Sequence, residues 1–218
     1  MKFIEYLNKN LEVWFLLQHP FYQSWNHGKL TTETLVLYAQ EYYHHVAAFP
    51  RYISQIHTLC NDIQDRQVLL DNLIDEERGE NNHPELWLRF LNGLCNSRSI
   101  SITPQLGTTK ELVDGFFELV KADYETGLGA LYAYERQTPA VAKSKIEGLK
   151  NHYNINDSGT LEFFTVHEKA DEWHTEQLTN LICKLDEKSQ QRVHEGAIEG
   201  AKLLWRFLDG ISATYMMN

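Results

Sequence analysis

With 218 residues and 43% hydrophobic content, the chain is long enough to close one domain around a real core. Its formal charge of -10, from 20 Lys+Arg against 30 Asp+Glu, excludes the basic field that a nucleic-acid surface needs. No window approaches the ~18 uninterrupted apolar residues of a membrane helix, and Glu5, Asn8, Asn10 and Glu12 interrupt the N-terminal stretch where a signal peptide would be apolar. Cys60, Cys95 and Cys183 are odd in number and unpatterned, which predicts free thiols used as small core side chains in a cytoplasmic protein.

In chain order, the first strong period starts near residue 32. Leu35, Tyr38, Tyr42, Val46 and Phe49 step by three and four, a core-facing helical stripe. Thr31 or Thr32 can cap that helix, with Glu33 against the positive end of its dipole. Pro50 falls inside the run and predicts a kink. Residues 96–110 and 151–160 are rich in Ser, Thr, Asn and Gly and read as loops, with Asp157 or Ser158 a cap for the helix after the second. Near the end Ile198, Ala201, Trp205 and Leu208 mark another core-facing helix. The pattern predicts an all-α domain of roughly eight to ten helices, a multi-helix bundle spanning 1–218.

One helical segment carries chemistry. In HEKADEWH, residues 167 to 174, the steps of four and three bring His167, Asp171 and His174 onto one face at roughly 100° per residue. Such a stripe becomes a metal site only if other segments add ligands. LIDEERGENNHPELW offers Glu76 and His83, seven residues apart, two turns along one face if the helix continues or bends there. LYAYERQTP offers Glu135 among apolar neighbours, where a carboxylate is costly to bury unless paired, protonated or ligated. Taken singly, Glu76 reads as part of a solvated face and His83 as a hydrogen-bonded cap or core residue. Charged helices also produce the HEKADEWH spacing by chance. The joint set of three carboxylates and three imidazoles suits iron or manganese in a bundle core.

DEERGENNH, LYAYE and HEKADEWH, in this order and spacing, resemble the CADD family, the proteins associating with death domains. These sit among the TenA- and PqqC-like members of the haem-oxygenase-like fold. HPFYQSWNHGKLT, YAQEYYHHVAAFPRYISQIH, VLLDNLIDEE and ALYAYERQTP extend the resemblance over nearly the whole chain. It implies a buried dinuclear centre held by Glu76, His83, Glu135, His167, Asp171 and His174, occupied by two divalent metal ions (Fe/Fe or Fe/Mn). Dioxygen is then the co-substrate, with an external reductant. It also implies oxygen-dependent synthesis of 4-aminobenzoate for folate, the ring coming from a tyrosine of the protein itself. That tyrosine corresponds to Tyr22 in HPFYQSW, the lysine implicated in nitrogen supply to Lys145 in AKSKIEGL, and further tyrosines near the centre to Tyr43 and Tyr134. By composition each of these tyrosines reads equally as an amphipathic core residue, and Lys145 as a surface lysine.

Other readings compete. The same six ligands would serve a di-metal oxidase acting on a diffusible small molecule, and the family name implies a death-domain protein as partner. A thiamine-degrading hydrolase would need a nucleophilic cysteine, and none of the three sits in a matching motif. Neither nucleic acid nor membrane is expected as a partner, and a homodimer is left open.

Overall fold

In the computed structural model, residues 2–95, 102 and 105–216 are described, without the side chains of 169–172, 215 and 216. Ten α-helices account for most of them: α1 Lys2–Leu11, α2 Pro20–Asn26, α3 Thr32–Leu59, α4 Ile63–Glu77, α5 His83–Leu94, α6 Gly107–Ala122, α7 Tyr124–Glu135, α8 Thr138–Tyr153, α9 Ser158–Cys183 and α10 Glu187–Met216. Two single turns of 3-10 helix, Glu12–Trp14 and Leu16–Gln18, lead into α2. No described residue lies in a strand, and no described helix is long and apolar enough to cross a membrane.

Short polar side chains set the helix starts. Thr31 Oγ1 accepts from Thr34 N, Asn82 Oδ1 from Glu85 N, Asp123 Oδ1 from Thr126 N and Asp157 Oδ1 from Thr160 N, all at 2.8–3.2 Å. Pro20, Pro84 and Pro139 occupy first turns, where a missing N–H costs nothing. Pro50 does not end α3, which runs through it from Thr32 to Leu59. The stripe from Leu35 to Phe49 is buried at all five positions.

Two expected loops are shorter than their composition suggests. Residues 96–101, 103 and 104 lie outside the described part, but α6 already begins at Gly107. Its first turn is capped from a distance: buried Glu41 on α3 accepts from Leu106 N at 2.9 Å and from the Thr109 hydroxyl. At the second loop, α8 continues to Tyr153 and ends on Asn154 in the left-handed region (φ 55°), whose N–H returns to Leu149 O. The thiols depart from expectation as well. Cys60 is buried and Cys95 half-buried, but Cys183 is exposed because it falls on the outer side of the last turn of α9.

Position in the bundle follows from these contacts. α9 packs between α5, α7 and α8, so its inner face looks toward the ends of α4 and α7. α10 lies along α7 at a distance only glycine permits: a Cβ on Gly196 would stand 2.1 Å from Thr126 O.

Candidate metal centre

Glu76 and His83 meet across a break rather than along one helical face. α4 stops at Glu77, Arg78 is extended, and Gly79 turns the chain at φ 78°, where a side chain would be strained. Asn82 then caps α5, whose first residue is His83. The His83 Nδ1 atom thereby comes within 2.8 Å of Glu76 Oε2, both groups being nearly sealed from water. From α9, His167 completes a buried group whose three donor atoms all lie within 4.8 Å of one another. The His83 and His167 rings are 4.2 Å apart.

His167 is already oriented for ligation. Its Nδ1 lies 2.6 Å from the Phe163 carbonyl, which can only accept, so Nδ1 carries the proton and Nε2 the lone pair. Burial, reinforced by neighbouring His83, holds its pKa well below the ordinary imidazole value. The ring is therefore neutral, the form that binds metals.

Two turns further along α9, His174 faces α7. Its Nδ1 lies 3.4 Å from Glu135 Oε2, with both residues buried. Two side chains of α4 hold this pair: Asn72 Nδ2 donates to Glu135 Oε1 at 2.8 Å, and Asp75 Oδ2 lies 3.1 Å from His174 Nε2. Asp171 sits on α9 between the two histidines, but its side chain is outside the described residues. Asn72 and Asp75 did not stand out in the sequence, although they precede Glu76 by four residues and by one.

Beside His167 lies a narrow cavity of about 20 Å³, bounded by Tyr22, Tyr42, Tyr134, Gln137, Lys145 and Phe164 among others. Lys145 is buried, not at the surface, because α8 turns it inward under the short helix α2. Its Nζ donates to Tyr38 Oη at 2.8 Å, and Tyr38 Oη lies 3.0 Å from Tyr22 Oη. The rings of Tyr22, Tyr38, Tyr42, Trp87 and Phe164 surround the amine at 5.1–5.5 Å. Burial lowers the Lys145 pKa to about 7 and raises those of Tyr22 and Tyr38 well above the usual phenol value. Amine and phenols can thus all be neutral at neutral pH. Tyr43 does not reach this space: it is half-buried, its ring 6.4 Å from that of His44, and Tyr42 faces the cavity instead.

A buried set of imidazole nitrogens and carboxylate oxygens is a donor set suited to iron and similar first-row ions, and residues 36–205 match the family of iron-containing redox enzymes. The chain belongs to that family. This redox enzyme is 38% identical to the 4-aminobenzoate synthase of Chlamydia muridarum over 96% of its own length and 89% of the relative's. It is 39% identical to the 4-aminobenzoate synthase of Nitrosomonas europaea, over 93% of its length and 88% of the relative's. Its fold is that of a Shewanella denitrificans domain of unknown function with a heme oxygenase-like fold, at TM-score 0.81 and 16% identity, covering 98% of this chain and 93% of that one.

The residues present fit a metal cofactor. Glu76, Glu135, His83, His167 and His174 are all buried. Carboxylates in such a place need a cation or a donor to offset desolvation, and His167 presents a neutral ring with its Nε2 lone pair available.

Proposed function

We propose that this protein is an oxygen-dependent di-metal oxidase that makes 4-aminobenzoate from its own Tyr22. Glu76, His83, Glu135, His167, Asp171 and His174 would hold two divalent ions, Fe/Fe or Fe/Mn. Bound there in reduced form, the ions would supply dioxygen activation, with electrons from an external reductant. The activity of the two relatives supports the product, and identity over nearly the full chain supports carrying it across.

One observation carries the choice of substrate. The cavity beside His167 has about 20 Å³ of room, enough for a water or a dioxygen, and the Tyr22 ring is part of its wall. The oxidisable ring at this position is one the chain supplies.

The residues around Tyr22 suit the conversion. Turning a tyrosine side chain into 4-aminobenzoate replaces the ring C–O bond with C–N, breaks the Cα–Cβ bond and oxidises Cβ to a carboxyl carbon with dioxygen as oxidant; with Lys145 as nitrogen source, its Cε–Nζ bond breaks as well. Lys145, with its pKa near 7, offers a partly neutral amine, and Tyr38 links it to the phenol through two hydrogen bonds. When the phenol gives up its proton, Tyr38 is the neighbour positioned to take it, and it can pass its own to a neutral Lys145 amine that turns its lone pair toward the Tyr38 hydroxyl. The aromatic walls keep bulk water out.

The test is isotopic. Protein expressed with ring-labelled tyrosine, loaded with metal, reduced and exposed to dioxygen without added aromatic compound should release labelled 4-aminobenzoate, about once per chain. Unlabelled product, or product that requires an added small molecule, would instead identify an oxidase of diffusible substrates.

A further inference from the structure

The inner side of α4 does more than supply Glu76. Asn72, one turn earlier, directs its Nδ2 to Glu135 Oε1 at 2.8 Å across to α7. The carboxylate only accepts, so the orientation of the amide is set by Glu135. Its other end, Oδ1, is buried and meets no donor among the described residues. Asp75 acts on the partner ligand. Its Oδ2 lies 3.1 Å from His174 Nε2, close enough to accept that proton, while the carboxylate itself is exposed on its outer side. With Nε2 protonated, the lone pair of His174 belongs to Nδ1, the atom that faces Glu135 Oε2 at 3.4 Å.

We propose that Asn72 and Asp75 are positioning residues for one half of the metal centre. Together they aim Glu135 Oε2 and His174 Nδ1 at a single ion. The other half, Glu76, His83 and His167, has separate support: its His167 is oriented by the Phe163 carbonyl on the same helix. The two halves can therefore be weakened independently. This inference rests on the ligand set under Proposed function.

The experiment is a manganese titration of the metal-stripped protein, with free Mn(II) read by electron paramagnetic resonance and helicity by circular dichroism. Wild type should bind two equivalents. Asp75→Ala and Asn72→Leu should each keep one equivalent at wild-type affinity and bind the other about 10–100-fold more weakly, the usual cost of losing a ligand's hydrogen-bond partner. Asp75→Asn, which retains an acceptor oxygen, should recover most of the loss, and it also covers the case in which the alanine variant fails to fold. A purely structural role would weaken both equivalents together or neither, and either result in a folded variant overturns the proposal. Failure of wild type to bind two equivalents would overturn the ligand set itself, and the inference with it.

Discussion

The Lys145 amine donates to the Tyr38 hydroxyl at 2.8 Å inside a shell of aromatic rings, with no carboxylate to offset its charge among the contacts of the described residues. That relationship makes Lys145 a titrating group in the core. Tyr38 extends it to the Tyr22 hydroxyl at 3.0 Å, so α8, α3 and α2 contribute one side chain each to a single hydrogen-bonded line.

Stability should therefore depend on pH. The amine releases its proton near pH 7 in the folded protein and near 10.5 when unfolded. Between these values the unfolded chain binds more protons, so Lys145 makes stability rise with pH. Below about 7 both states are protonated and the full burial penalty stands against the fold. Lys145→Met fills similar space without a charge. Its melting temperature should exceed that of wild type at pH 6, and the difference should shrink toward pH 9. Parallel curves for the two proteins would show that Lys145 does not titrate in this window.

Loss of metal is expected from His167→Ala. The substitution removes one of three donors lying within 4.8 Å of one another and leaves α9 helical. Elemental analysis should show iron or manganese lower by about one equivalent per chain, and that half should bind metal more weakly by more than the roughly 10–100-fold that losing a ligand's hydrogen-bond partner costs. Full occupancy with full activity would remove His167 from the ligand set.

Much of this site was legible in the chain. The 3.6 period located the helices, and the stripe through Leu35 and Phe49 already contained Tyr38 and Tyr42, the tyrosines that face Lys145 and the cavity. Tyr43 came from the family resemblance, yet it is one residue, or about 100°, off that stripe. The Glu76–His83 spacing was readable, but their approach depends on the break after Glu77, which the spacing by itself does not show. Long-range contacts leave no local signal. The Glu41 cap on α6, the inward turn of Lys145 and the reach of Asn72 to Glu135 span 65, 107 and 63 residues respectively.

The α7–α10 contact predicts a stability change against helix propensity. Alanine is ordinarily better than glycine inside a helix by about 1 kcal/mol. At Gly196 the added Cβ would meet Thr126 O at 2.1 Å, backbone that cannot rotate away. Gly196→Ala should therefore destabilise the protein by about 1–3 kcal/mol in denaturant melts. Gly107→Ala, where the new atom meets nothing within 4 Å, should be neutral or stabilising. Equal tolerance at both positions would mean that the helices are not held that close.

Tyr22→Phe separates the two oxidase readings most directly. Phe fills the same volume, so packing against Phe21 and Trp25 persists. Only the hydroxyl is lost, and Tyr38 keeps its bond to Lys145. The stability cost should be about 0.5–1.5 kcal/mol, that of one buried hydrogen bond, and metal content should stay at the wild-type level. If Tyr22 is the ring source, a folded and metal-loaded Tyr22→Phe protein has no phenol oxygen to replace with nitrogen. It should consume dioxygen in the presence of reductant yet release no 4-aminobenzoate by mass spectrometry. Product formation by this variant would transfer the ring source to another tyrosine or to a diffusible molecule. Loss of metal together with product would show that the hydroxyl serves the centre rather than the chemistry.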